Sequence, residues 1–394
     1  MNGVQQVGRS YRSSAKAPPL RVQLLLRDLT RGGATRLALN LFASLRDEVS
    51  LRSIAWEGGP LAPEFRRLGP LDVLWSDLGS LRFLRTDAER RMAGMAVGRL
   101  RMPVAGWRAR RSRPHLVYAN SIRSLHLVSR LGLAEHRVVL HVHELSVALE
   151  GFESANPGLI RSLPSHYIAV SQIVASALVD EYQISPDAIT VIPPFVAIPP
   201  RLIDKVPGEG VLTVGGIGTL TWTKGGVLWL LAARDLIALV GENRVRFRWV
   251  GYRDNDEGRQ FKAMVRKLGL ASVVELVPET SDARAELSTF DVLAMTSWEE
   301  SASLVVLEAM AEGVPVVCFA GAGGPEEQIG DTGVVVEGFS THALAEAIAA
   351  LREDPVRWQS LRDAARRRVT AKYSQEVVVP ALTAVLRKEQ ARAT

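Results

Sequence analysis

One cysteine in 394 residues, Cys318, excludes a disulfide framework and a zinc site built from thiolates alone. It lies in "VPVVCF", where a small apolar thiol reads as a buried strand residue. No apolar run approaches the ~18 residues that a membrane-crossing helix needs. The first twenty residues, "MNGVQQVGRSYRSSAKAPPL", are polar and basic and lack the apolar segment of a secretory leader. They are expected to form a mobile basic tail, 1–20, on a cytoplasmic protein. Aromatic residues make up only 6% of the chain. They are sparse where the basic residues gather, which argues against nucleic-acid binding by base stacking.

The length is too great for one ordinary core and suits two domains, and 47% apolar residues are enough to fill them. The net charge of +6 is unevenly spread. Up to Phe195 there are 25 Lys and Arg against 16 Asp and Glu, and after it 23 against 26. Ten arginines fall between Arg82 and Arg113, interleaved with Phe83, Leu84, Met92, Met95, Val97, Leu100, Met102 and Trp107. Two readings fit this mixture: a solvated helix, or a helix resting on an anionic membrane surface.

Short apolar runs alternate with helical patterns, the signature of parallel sheets with crossover helices. In the first half "RVQLLLRDL", "HLVYAN", "RVVLHVHE" and "HYIAVS" read as strands, each ending in polar residues. "RGGATRLALNLFASL" gives a glycine turn and an amphipathic helix, and Ser171 is a candidate N-cap. The proline-rich "ITVIPPFVAIPPRLIDKVPGEG" begins a connection. The pattern then restarts with "GVLTVGGIG", "RVRFRWVGY", "VVELVPE", "FDVLAMTS" and "VPVVCFA" as strands. The fold class is therefore α/β, with two doubly wound domains in series around a cleft. The expected divisions are 21–195, a linker at 196–208, 209–360, and C-terminal helices at 361–394 that cross back to the first domain. In such sheets ligands lie beyond the carboxyl ends of the strands.

"SWEESASLVVLEAMAEGVPVVCF" places Glu300 in a loop above that cleft and Glu308 about 6 Å along the following helix from Leu304. A carboxylate among Leu, Val and Met costs several kcal/mol unless it is paired. A sugar or ribose diol offers it two donors; a solvent-facing glutamate is the plain alternative. In "VGGIGTLTWTKGG" glycines end a strand, Lys224 follows, and a helix starts. Backbone amides at a helix start, with a lysine, attract phosphate. The dinucleotide fingerprint fails here, because Thr221 stands where its third glycine belongs and no acidic strand end follows. "DND", Asp254–Asp256, could chelate a metal, but polar residues are expected in that loop in any case.

The glutamate pair with "AMAEGVPVV" resembles glycosyltransferase family 4, the retaining enzymes of GT-B fold. "GTLTWTKG" is similar to a branch of that family with Gly-Thr-x-x-Trp-x-Lys-Gly. "RGGATR" resembles its glycine loop. "YANS" and "HVHEL" resemble the same branch. Ser301, Ala302 and Ser303 depart from the usual Gly-Phe-Gly, and Thr219 replaces the usual arginine, so another base such as Arg253 has to compensate.

The resemblance implies two Rossmann-like domains facing a central cleft. It implies a hexosyltransferase that takes a nucleotide-diphosphate sugar to an acceptor hydroxyl with retention. Lys224, Glu300 and His143 would carry the reaction. Gly33, Gly218, Thr219, Lys224, Gly225, Ser303, Leu304, Val305 and Glu308 would bind the donor. Gly32, Asn120, His143 and Glu144 would face the sugar or acceptor, and Gly323 and Gly324 would lie near the nucleotide. No metal or other cofactor is expected. A glycan or lipid-linked acceptor, a role in cell-surface glycan or glycolipid synthesis, and attachment to the inner face of the plasma membrane through Arg82–Arg113 complete the expectation. The alternatives are a GT-B nucleotide-sugar epimerase and a catalytically degenerate GT-B partner subunit.

Overall fold

Runs such as "LRVQLLL" and "VVLHV" are largely apolar at consecutive positions because both faces of their sheets are covered by helices. The computed structural model describes residues 18–75, 87–202, 210–280 and 282–392, with only the backbone given at 87–96. Most of the expected tail, linker residues 203–208 and Arg82 and Arg85 of the arginine-rich segment lie outside the described residues.

The first sheet contains β1 (Leu20–Leu26), β2 (Val49–Glu57), β3 (Leu71–Trp75), β4 (Leu116–Ala119), β5 (Val138–Val142), β6 (His166–Ala169) and β7 (Ile189–Val191). Their order is β3-β2-β1-β4-β5-β6-β7. The second sheet contains β8 (Leu212–Ile217), β9 (Val245–Tyr252), β10 (Val274–Pro278), β11 (Val292–Met295), β12 (Val316–Phe319) and β13 (Val334–Val336), in the order β10-β9-β8-β11-β12-β13. All the paired strands are parallel. In both sheets the order reverses beside the first strand, and this switch point opens the crevice where ligands bind.

Four strands are not among those read from the sequence: β2, β3, β7 and β13. β2 carries Arg52 in its middle, which hydrogen-bonds Asp72 of β3 at 2.6 Å at the sheet edge. β7 begins the proline-rich stretch read as a connection, yet Ile189 pairs with Tyr167. Ser171 and Ser340 cap their helices, accepting from the amides of Val174 and Ala343. Cys318 is fully buried in β12, and burial pushes its thiol up to about 12.

Apolar side chains fill both faces of each sheet. The helix Pro355–Tyr373 packs Trp358, Ala365 and Val369 into the second domain. The next helix, Gln375–Ala391, buries Val378, Leu382, Val385 and Leu386 against the first. The chain changes domain at Ser374, beside its other crossing, where the Val196 amide donates to Tyr373 O at 3.0 Å. The returning helix is anchored by Glu389, which is fully buried and paired with Arg137 and with Arg392 at 2.9 Å.

Candidate functional site

The strand ends of both sheets meet across a cleft of about 340 Å³. One wall is the turn after β1 with the start of the helix Gly33–Ser44, bringing Gly32, Gly33 and Arg36; His143 follows β5. The opposite wall brings Gly218, Thr219 and Lys224 after β8, Glu279 and Thr280 after β10, and Glu300 to Val305 with Glu308 after β11. Residues more than 250 positions apart thus share one cavity because each follows a strand of the same direction.

Lys224 lies in a single turn between β8 and the helix Gly226–Val240. Its ammonium forms an ion pair with the Glu300 carboxylate, which also accepts from Ser297 Oγ at 3.4 Å. The two loops are joined by backbone as well: Trp298 N donates to Thr223 O at 2.8 Å and Thr296 Oγ1 to Lys224 O at 3.3 Å. The Glu300 loop is further fixed on its far side. Glu300 N donates to Ala322 O and its own carbonyl accepts from Gly324 N, both at 2.8 Å. Ser303 caps the helix Leu304–Glu312, and the Gln328 amide spans its backbone N and O at 2.9 and 3.1 Å.

Glu308 stands on that helix facing the cleft, and its carboxylate makes no hydrogen bond among the described residues. Burial raises its carboxyl above the usual range, while the charges of Arg36 and Arg284 pull the other way. His143 is held neutral, pushed down to about 3 by burial. Its Nε2 has no partner among the described residues, and its ring lies 4.0 Å from that of His141. Behind it, the Glu144 carboxylate accepts from the amides of His143 at 3.0 Å and Ile122 at 3.4 Å. Burial pushes Glu144 up to about 7.

Eleven of the fourteen residues assigned to catalysis, donor or acceptor in the sequence therefore line the cleft: Gly32, Gly33, His143, Gly218, Thr219, Lys224, Glu300, Ser303, Leu304, Val305 and Glu308. Asn120, Glu144 and Gly225 do not. Asn120 is 3% exposed and donates to Ala34 O at 3.1 Å, which supports the glycine turn from behind. Glu144 props the backbone of His143. Gly225 has φ 63°, and a Cβ there would stand 1.8 Å from Thr296 O, so it serves the contact between the two loops. Gly323 and Gly324 likewise pack on the backbone of Glu300 and Ser301, where a Cβ would meet carbonyl oxygens at 2.5 and 2.3 Å. Arg253 is not among the residues that line the cleft, and its guanidinium pairs with Glu279, which is, at 2.8–2.9 Å. The carboxylates of Asp254 and Asp256 are engaged by Arg259.

Arg36 is the residue that sequence reasoning missed. It lines the cleft, and its guanidinium has no hydrogen bond or ion pair within 4 Å among the described residues. The signal was its position: a cation three residues beyond a glycine turn, on the first turn of a helix.

Comparison with known proteins follows the same division. Residues 31–198 match the model "Glycosyltransferase Family 4" and residues 211–354 match "Glycosyl transferases group 1". A mannosyltransferase of Corynebacterium glutamicum, described as GDP-mannose-dependent and acting on monoacylated phosphatidylinositol monomannoside, is 39% identical over 90 residues, 23% of this chain and 24% of that protein. A D-inositol 3-phosphate glycosyltransferase of Corynebacterium aurimucosum is 28% identical over 204 residues, 48% of each. The matches thus span half or less of those relatives. Among solved structures, Anabaena Alr3699/HepE in complex with UDP-glucose superposes with a TM-score of 0.75 at 19% identity, covering 95% of this chain and 100% of that one. Sucrose-phosphate synthase of Thermosynechococcus elongatus gives 0.74 at 16%, covering 95% and 100%.

Proposed function

The chain belongs to the family 4 and group 1 glycosyltransferases of GT-B fold, and on that premise we propose that it moves a hexose from a nucleotide-diphosphate sugar to an acceptor hydroxyl with retention of configuration. The observation that carries the reading is the meeting of Lys224, Glu300 and Glu308 with His143 and Arg36 in one cleft.

The barrier lies in separating an oxocarbenium-like sugar from the diphosphate. Charge that develops on the leaving phosphates is met by Lys224 and by the amides of the turn beyond Gly218, already oriented before reaction. Arg36 supplies, from the first domain, the positive charge that Thr219 does not. Glu308 accepts from the ribose hydroxyls. Glu300 exchanges its ion pair for hydroxyls of the sugar and leaves the lysine to the phosphate. His143, neutral, faces the transferred sugar from the first domain. No protein nucleophile is evident, and attack of the acceptor from the face the diphosphate leaves is what the family resemblance implies. Crossings at Val196 and Ser374 form the hinge of closure.

The acceptor is a lipid-linked or cell-surface glycan, taken at an anionic membrane. Support comes from the helix Asp87–Arg111, where Leu100, Val104 and Trp107 form one exposed stripe, 78%, 49% and 54% accessible, flanked by Arg99, Arg101, Arg108 and Arg111. No described helix is long and apolar enough to cross a membrane.

The test is turnover of purified, folded Lys224→Ala and Glu308→Ala with a panel of nucleotide sugars and acceptors. Both variants should lose transfer. Wild-type rates in either would remove that residue's role, and an epimeric nucleotide sugar as the product, with no free nucleotide diphosphate and no transfer to an acceptor, would point to an epimerase instead.

A further inference from the structure

The loop between Glu300 and Ser303 does more than carry a carboxylate into the cleft. Ser301, the next residue, reaches the other domain twice. Its hydroxyl donates to the carbonyl of His143 at 2.5 Å, and its own carbonyl accepts from the hydroxyl of Ser171 at 2.6 Å. Ala302 packs against the apolar core of the first domain. The neighbouring helix start adds one more tether, with Gln172 N donating to Glu327 at 2.8 Å.

The placement matters because of what flanks these atoms. His143 and Glu300 belong to different domains, and Ser301 is covalently joined to one and hydrogen-bonded to the other. A shift of Ser301 therefore moves the Glu300 carboxylate and the His143 ring relative to each other. The donor hydroxyl on Ser171 is also the cap of the helix Gln172–Asp180, so the partner is itself fixed. A glycine or alanine at position 301 has no hydroxyl to donate and loses the first of the two contacts.

Resting on the glycosyl-transfer reading, we propose that Ser301 is a positioning residue that holds the two domains shut and sets the distance between Glu300 and His143. It touches no reacting atom. Without its hydroxyl the His143 carbonyl has only water to pair with, and the open form gains by about the value of one hydrogen bond, about fivefold in population. Turnover falls with the closed fraction.

The experiment measures closure and rate separately. Cysteines introduced at exposed Asn40 and Gln260, one in each domain, take spin labels selectively because Cys318 is buried. Pulsed EPR of the ligand-free full chain should give one narrow distance population in the wild-type background. Ser301→Ala should broaden it toward longer distances, and Ser301→Thr, which keeps the hydroxyl, should restore it. In unlabelled protein, kcat/KM for the transferred donor should fall in Ser301→Ala in proportion to the closed fraction that the distances give and recover in Ser301→Thr, with the far-ultraviolet spectrum and melting cooperativity unchanged. Identical distance distributions in wild type and Ser301→Ala would overturn the proposal. So would a widened distribution with unchanged kcat/KM. If the wild type transfers no sugar at all, the functional reading fails, and the distance measurement alone still decides whether Ser301 holds the domains together.

Discussion

Lys224 and Glu300 are ion-paired across 76 residues of sequence, cation on one strand-end loop and carboxylate on another of the same sheet. Both side chains are largely shielded from water by the cleft, so the pair is stronger than a surface one. Each is also the group that a bound diphosphate or sugar would recruit. The ligand-free cleft is thus electrically satisfied, and donor binding is an exchange of partners. Removing the lysine should lower kcat/KM by about 10²–10³-fold, the usual cost of one preorganised leaving-group contact. Lys224→Ala combined with Glu300→Gln should cost less than the sum of the two single changes. Steady-state kinetics on the four proteins checks this.

Arg36 faces Glu308 from the opposite domain and lowers the affinity of that carboxylate for a proton. Arg36→Ala should raise the donor KM about tenfold, the value of one charge-assisted contact. It should also move the acid limb of the kcat/KM profile to higher pH, because Glu308, already raised by burial, loses an opposing charge. A pH–rate profile that does not move would separate Arg36 from Glu308.

Glu144 and His143 predict opposite dependences of stability on pH. Glu144 has its folded value raised, from 4.5 to about 7. The folded state holds its proton longer, so this contribution is full below pH 4.5 and is lost as pH rises through 7. His143 is lowered, from 6.5 to about 3. Its contribution is present above pH 6.5 and is lost as pH falls toward 3. Glu144→Gln should therefore gain stability relative to wild type between pH 5 and pH 8, on the order of 2 kcal/mol, read as the difference in urea midpoints. An equal difference at both pH values would contradict the assignment.

The returning helix is held by Glu389, with no exposed surface of its own. Arg137→Ala removes one of its two arginine partners and leaves the buried carboxylate with Arg392. Breaking such a pair should cost about 3 kcal/mol, visible in urea denaturation. Loss below 0.5 kcal/mol would show that Arg392 suffices.

The stripe Leu100, Val104 and Trp107 should bind vesicles containing phosphatidylserine or phosphatidylglycerol. Binding should weaken with salt, since the flanking arginines act through the surface potential. Leu100→Ser with Trp107→Ser, or replacement of Arg108, Arg110 and Arg111, should abolish flotation with the vesicles. Flotation of the wild type onto neutral vesicles alone would not meet the prediction.

Much of this arrangement can be read from the sequence, and the reasons are local. Apolar runs ending in polar residues mark strands with their carboxyl ends, and a glycine turn before Lys224 marks the start of a helix. Spacing alone puts Glu300 in the loop and Glu308 one turn down the next helix. What escapes is whatever depends on direction within a loop or on the other domain. Asn120 and Glu144 stand at strand ends as expected, but both turn toward backbone and hold the neighbouring wall in place. Gly225, Gly323 and Gly324 look like ligand-facing glycines and prove to be places where two loops touch. Arg36 and Ser301 find their counterparts across the cleft, in residues more than 150 positions away, and no periodicity carries such a contact. β2 hides because its central arginine is paired within the sheet edge.

The most direct test of the account is a crystal structure of the full chain soaked with GDP-mannose and, separately, with UDP-glucose. The account predicts a diphosphate against the Lys224 ammonium and the amides that follow Gly218. Ribose hydroxyls should sit on Glu308, with the hexose between Glu300 and His143. Clear donor density elsewhere, with Lys224 still paired to Glu300 and Glu308 facing solvent, would contradict it.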